Sequence, residues 1–298
     1  MNKTMLIPHK NSLLILCISA ISIFISGCED PVAFDYIPQY AVEAYLLVGK
    51  PIDNIMLTKT QPVADSFSYD NAIVKNAKVS IIQNSKDTIT LQYRDSERGG
   101  EYYCADTTLL VEPKTRYDLL ITTNDGAVIT ATTFTPNNIA WIVPPQSVLQ
   151  YPKDTINLTF NDSLSISWTQ LSEVKEYLIS ISHLDTLEYG KYLDPISEEK
   201  NRKITRFFSR SNNPRLRDMT VYGFLQATKA PVVWTAFRWY GKCRLTIFAP
   251  DQNFLKWFKT LWSGNQYDYR LASISGGVGV FASASYTDKE IFLLKNQP

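Results

Sequence analysis

Histidine is almost missing: the 298 residues include two, His9 and His183. A metal centre built on several imidazoles therefore has no ligands to draw on, and a Ser-His-Asp device would have to use His183. That residue follows Tyr177, Ile179 and Ile181, which share one face, so a strand-end histidine with a partly packed ring is expected there. An excess of one charge is missing too. Lys and Arg number 30 against 29 Asp and Glu, a formal net charge of +1 that offers nucleic acid no basic footprint. The Asp-Thr pairs at Asp87, Asp106, Asp154 and Asp185 never continue with Gly as aspartic proteases require, and no repeat recurs at a fixed period. The glycines Gly276, Gly277 and Gly279 lack the Lys-Ser/Thr of a phosphate loop and a following helix N-terminus. They read as a close backbone approach or a bulge within a strand.

Long apolar runs are absent but for residues 12–25. That run suits the h-region of a signal peptide and falls short of the roughly 18 residues that a spanning helix needs. Lys3, His9 and Lys10 precede it as a weakly basic n-region, and Ile25-Ser26-Gly27-Cys28 closes it. This is a lipobox: a small residue before a cysteine whose thiol is diacylated before a peptidase cuts on its N-terminal side. The expectation is a signal peptide over residues 1–27, an acylated N-terminus at Cys28 carrying palmitate-type chains, and a tether over 28–39 that holds the rest at a membrane surface. Residues 28–298 then leave room for two domains at about 100 to 200 residues each. Of the four cysteines, Cys104 and Cys243 remain. In an exported protein they could bridge, contributing about 5 kcal/mol on the loop-entropy model, or stay as two buried thiols.

The text between is β. Ile89, Leu91 and Tyr93 alternate with polar neighbours, as do Tyr117, Leu119 and Ile121, the period of half-buried strands. Asn124-Asp125-Gly126 supplies a turn before 128–134, which predicts a hairpin, and 40–48, 55–60 and 78–82 read as further strands. Tyr117, after Pro113 and Lys114, is placed to be a tyrosine-corner residue. Prolines 136, 144, 145 and 152 mark a linker over 136–154 with Trp141 held to one side. Beyond it Leu164, Ile166 and Trp168 alternate with Ser and Thr, and a strand then opens at Tyr177, like the B and C strands of a fibronectin type III domain. Regularity fails from Pro195 to Val221. Strands are expected over 232–240 and 242–248, then a helix capped by Asp251 and running to Trp262, with Gly264 as its terminator. A glycine-rich strand over 276–281 and a last strand over 290–295 close the chain. The fold expected is mainly β: an Ig-like sandwich over 40–135 and a fibronectin-like β domain over 155–298 elaborated by one helix.

Two runs offer themselves as surfaces. The aromatics Trp234, Phe237, Trp239, Tyr240, Trp257, Phe258 and Trp262 could stack sugars, but their spacing fits strands and a helix burying one common face. Lys200, Arg202, Lys203, Arg206, Arg210, Arg215 and Arg217 crowd the irregular stretch, with Phe207 and Phe208 among them. Charge for steering beside apolar area for affinity makes this run the candidate partner contact. No cofactor is expected and no catalytic constellation stands out, so the chain reads as a non-enzyme; a carboxylate-dependent glycan hydrolase and a surface adhesin are the alternatives.

Asn76-Ala77-Lys78-Val79, the segment 113–126, the Trp168/Tyr177 pair and Gly276-Gly277-Val278-Gly279-Val280-Phe281 carry a resemblance across essentially all of residues 28–298. The chain resembles the uncharacterised domain-of-unknown-function outer-membrane lipoproteins of Bacteroidota, with Lys114 standing where that family often has Gly. The resemblance implies an Ig-like N-terminal domain, a surface-facing lipid anchor with Glu29 and Asp30 behind it as an export signal, and an accessory role beside a TonB-dependent receptor. It carries over no catalytic residues. It also implies O-glycosylation, because the Asp-Ser/Thr triplets resemble the acceptor used by such bacteria; the acceptors would be Thr88, Thr107, Thr155, Ser163 and Thr186.

Overall fold

Alternation at a period of two decides most of the elements. The computed structural model describes residues 36–62, 65–66, 68–96, 99–152, 164–184, 189–198, 219–262 and 273–295. In β1 (Tyr40–Leu47), Val42, Ala44 and Leu46 point into a core while Ala41, Glu43 and Tyr45 face the other way. β2 (Met56–Lys59) returns beside it, and a single helical turn, α1 (Tyr69–Ala72), leads to β3 (Lys78–Gln83). β4 (Asp87–Thr90), β5 (Gln92–Arg94) and β6 (Glu101–Tyr103) follow. β7 (Arg116–Thr122) and β8 (Val128–Phe134) form the expected hairpin, turned at Asn124-Asp125-Gly126 with Gly126 at φ +84°. The remainder contributes β9 (Trp141–Val143), β10 (Val148–Gln150), β11 (Ile166–Trp168), β12 (Tyr177–His183), β13 (Met219–Leu225) and β14 (Lys229–Ala230). After these come β15 (Gly241–Pro250), the helix α2 (Gln252–Trp262), β16 (Ile274–Ser275) and β17 (Val278–Leu294).

The largest sheet has 7 strands, β13-β12-β15-β17-β1-β2 with β10 also on β17; beside it lie a 5-stranded sheet, β16-β8-β7-β3-β4, and a 3-stranded one, β14-β11-β9. Two cores form against opposite ends of the large sheet. One gathers Val42, Leu46, Val79, Ile81, Leu119, Ile121 and Ile129 between β1 and the 5-stranded sheet. The other gathers Ile166, Trp168, Ile179, Leu245, Ile247 and Leu293 with the aromatics Tyr151, Trp234, Phe237 and Tyr240. The fold is thus mainly β and sandwich-like.

How the strands are shared differs from the expected layout. Residues 38–298 form one compact unit. β17 is a single strand of 17 residues whose Phe281 sits in the first core and whose Ile291 and Leu293 sit in the second. β1 runs parallel to it, from Ala41 opposite Val278 to Leu47 opposite Ala284. The division at 136–154 therefore separates two cores but not two sheets, and the linker itself is ordered into β9 and β10, paired with β11 and β17. The expected strands over 276–281 and 290–295 merge, from Val278 to Leu294, into β17, because Ala282, Ser283, Ala284 and Ser285, too small to read as a strand face, are buried on both sides. The strand expected over 232–240 does not form: after the short β14 the chain makes a 3-10 turn at Trp234–Ala236. Pro231 has no N–H for a ladder, and the aromatics that follow are buried without alternation.

Several local expectations match in detail. The Tyr117 hydroxyl accepts the Glu112 N–H at 2.8 Å, a tyrosine corner, and Tyr177 does the same for Leu171 at 2.8 Å. Trp168 is fully buried against Tyr177, edge to face with ring centroids 5.7 Å apart. Trp141 donates its indole N–H to the Asp288 carbonyl at 3.1 Å. Cys104 and Cys243 are both free and buried, one in each core, which settles the open alternatives in favour of thiols.

Candidate functional site

The inward face of β1 belongs to the first core; its outward face is where a site can form. Pairing register sets the rows on that face: Thr58, Ala41 and Val278 lie side by side across β2, β1 and β17, and Met56 lies beside Glu43 in the next row. Helix α2 covers part of the face. Asp251 caps it, accepting the Phe254 N–H at 2.8 Å, and Phe254 meets Tyr45 edge to face with centroids 5.5 Å apart. Phe254 in turn stacks on Phe258, centroids 5.9 Å apart. What the helix leaves is a groove of about 430 Å³, floored by Ala41, Val42, Val278 and Gly279, flanked by Met56 and the rings of Trp257 and Tyr69, and rimmed by Gln39, Glu43, Thr58 and Thr60. A mostly apolar concavity of this size with a few polar groups is the usual form of a ligand site.

A second cleft, of about 300 Å³, lies at the other end of α2 between Thr132–Phe134, Pro136, Glu173 and Pro250–Asn253. It carries two carboxylates. Burial pushes the Asp251 carboxyl above its ordinary value, against the pull of the Thr133 hydroxyl and of backbone donors. Burial also acts to raise Glu173, but the Asn137 N–H at 2.9 Å, with smaller donors, leaves it below the ordinary range. Both groups are engaged in holding the chain. Asp251 takes the Thr133 hydroxyl on one oxygen and the helix cap on the other, and Thr133 is 2.9 Å from the Ser283 hydroxyl.

Of the aromatic run singled out in the sequence, Trp234, Phe237 and Tyr240 are core, and Trp257 lines the groove. His183 ends β12 and its Nε2 accepts the backbone N–H groups of Arg238 at 3.2 Å and Trp239 at 3.3 Å, so that lone pair holds a turn. Among the described residues, no group of three or more His, Cys, Asp or Glu could hold a metal. No described helix is long and apolar enough to cross a membrane. Thr88 on β4 and Thr107 in the turn after Cys104 are both exposed. Cys28, the basic run Lys200, Arg202, Lys203, Arg206, Phe207, Phe208, Arg210, Arg215 and Arg217, and the acceptors Thr155, Ser163 and Thr186 lie outside the described residues. The sequence marks 40–48 as a strand but carries no sign of which helix stands over its outward face, so the groove is not legible in it.

The glycines fit the backbone reading. A Cβ on Gly277 would come within 2.7 Å of the Tyr40 carbonyl oxygen, and Gly279, at φ +109°, leaves no room for one beside the Val42 carbonyl.

A family model described as Domain of unknown function (DUF4249) matches residues 29–290, and the chain belongs to that family. A search of curated proteins returned no match.

Proposed function

We propose that this member of the DUF4249 family is a lipid-anchored binding subunit at the outer-membrane surface, an accessory to a TonB-dependent receptor, that holds a ligand or partner without transforming it. The observation that carries the binding reading is the apolar groove between Trp257, Tyr69 and the outward face of β1 and β2. The anchor reading is carried by the lipobox ending at Cys28 and the short tether before Gln39. Confinement to a membrane plane raises the effective concentration of the protein beside any barrel in that membrane. The basic run 200–217, with Phe207 and Phe208, is the proposed contact with the receptor. Pull-down from detergent-solubilised membranes tests the reading: a TonB-dependent receptor should co-purify with wild type, and Phe207→Ala with Phe208→Ala should abolish its recovery. Absence of any such receptor with wild-type protein overturns the partnership and leaves the adhesin reading as the better one.

One observation favours a second reading, a carboxylate-dependent hydrolase. The cleft beside α2 holds Glu173 and Asp251, whose surroundings push their carboxyls in opposite directions, as an acid and base pair would require. Their commitment to the Asn137 N–H, the Thr133 hydroxyl and the helix cap favours a structural role. Hydrolysis of surface glycans by wild type but by neither Glu173→Gln nor Asp251→Asn would reverse that judgement.

A further inference from the structure

We propose that the groove beside Trp257 takes a linear hydrocarbon chain, the acyl or alkyl tail of a lipidic ligand whose head carries no negative charge. This rests on the binding reading above and names the class of ligand. The chemistry of the lining decides between a hydrocarbon and a sugar or peptide. The threonines at the rim are engaged with the backbone: the Gln39 N–H bonds the Thr60 hydroxyl oxygen at 2.9 Å, the Thr60 N–H bonds the Gln39 carbonyl at 2.8 Å, and the Thr58 hydroxyl reaches the Ala41 carbonyl at 3.5 Å. A sugar lying on this mostly carbon lining would bury more hydroxyls than the few rim groups could partner, each at a desolvation cost. A methylene chain makes no such demand and gains by leaving water.

The shape agrees. Ala41 offers a single methyl and Gly279 none, so the floor is low where β1 meets β17, and it cannot be raised at Gly279 because a Cβ there would collide with the Val42 carbonyl oxygen. The same-face residues Met56, Thr58 and Thr60 line one side over about 13 Å at the usual rise of a strand. The cavity is therefore a trough along the strands, with aromatic walls, that admits a chain lengthwise. Among the described residues, Glu43 is the charged residue that lines it, and no Lys, Arg or His does. A carboxylate or phosphate head is accordingly disfavoured inside, so the head carries no negative charge.

The test uses the full lipidated chain held in an amphipol, so that no detergent competes, with N-phenyl-1-naphthylamine as the fluorescent probe. We expect saturable probe binding, displacement by dodecanol at concentrations at least tenfold below those of dodecanoate, and no displacement by maltotriose. Ala41→Phe, which fills the trough, should weaken probe binding at least tenfold while its melting curve stays two-state, and Trp257→Ala, which removes a wall, should weaken it without filling the floor. Dodecanol should raise the melting temperature of wild type and not of Ala41→Phe. Non-saturable probe uptake by wild type, or equal binding by both variants, overturns the proposal; so does displacement by maltotriose in preference to dodecanol. Receptor recovery is a separate measurement, so its failure touches the partnership and leaves the ligand class standing.

Discussion

The phenol of Tyr40, at the first residue of β1, donates a 2.6 Å hydrogen bond to Asp125 at the tip of the β7–β8 hairpin, 85 positions away. Lys59 of β2 completes the latch, with its Nζ 3.4 Å from the same carboxylate and 4.7 Å from the centre of the Tyr40 ring. The two layers of the first sandwich are thereby tied at one end, next to the Gln39 rim of the groove. The Thr123 hydroxyl and then Tyr40 hold the Asp125 carboxyl far below the usual carboxylate range.

A folded-state value below the unfolded one means that Asp125 contributes stability above about pH 4 and loses it as the pH falls further. Asp125→Asn should lower the urea midpoint at neutral pH, and the gap from wild type should close on acidification. Urea titrations at neutral and acid pH check this; a gap that persists undiminished in acid rules the latch out as its source.

Asp251 runs the other way. Burial raises its carboxyl above the unfolded value, so the charged form costs stability at neutral pH and the cost fades as the pH drops through the raised value towards that of the unfolded chain. Asn keeps the cap on the Phe254 N–H and carries no charge, so Asp251→Asn should flatten this part of the stability profile. Asp251→Ala should cost about 1–3 kcal/mol, more in acid than at neutral pH, because both the helix N–H and the Thr133 hydroxyl lose their acceptor. Chemical denaturation of both variants across the acid range distinguishes the two effects.

Lys114 has φ +52°, the left-handed region that side chains with a Cβ avoid. Relief of that strain outweighs the extra freedom glycine gives the unfolded chain, so Lys114→Gly should stabilise by about 0.5–1 kcal/mol. Lys114→Ala keeps the Cβ and should change little. Paired melting curves decide it.

Much of this geometry was legible. The hairpin over 116–134, the Tyr117 corner, the Trp168/Tyr177 pair and the Asp251 cap each rest on residues within 18 positions of one another, and local chemistry is what a sequence displays. The Lys114 turn was marked by the glycine expected there. What stayed hidden is long-range. Nothing in Tyr40–Leu47 says that its partner is β17 rather than a strand of its own half, because alternation fixes a face and not a neighbour. The groove depends on that pairing and on where α2 lands, so Trp257 read only as one more aromatic in an apolar stripe. Asp251 read as a cap, and its bond to Thr133 joins residues 118 positions apart.

Two of the proposed O-glycosylation acceptors are exposed, and they differ in accessibility of the backbone around them. Thr88 is paired in β4, opposite Ile82, whereas Thr107 sits in a turn where Asp106 accepts both the N–H and the hydroxyl of Thr108. If glycosylation follows folding, an enzyme that must bend the chain reaches Thr107 before Thr88. Peptide mapping of native protein should therefore find glycan at Thr107 with the higher occupancy; an intact mass equal to lipid plus polypeptide rejects modification altogether.

The most severe single change should be Gly279→Ala. Gly279 lies opposite Val42 in the parallel β1–β17 ladder at φ +109°, and an added methyl would sit well inside contact distance of the Val42 carbonyl oxygen. Backbone on both sides is fixed, so the clash cannot be relieved by rotating a side chain. Either β1 moves off β17 or the strand end at 276–279 rearranges. The loss expected is on the order of 3 kcal/mol or more, the range reserved for strained backbone and broken cores. Because Ala41 and Val278 are paired across the same junction, the groove floor would part with the ladder. Probe binding should thus vanish under conditions where far-ultraviolet circular dichroism still reports β structure from the second core. A Gly279→Ala protein with wild-type stability would show that β1 and β17 do not pair as described.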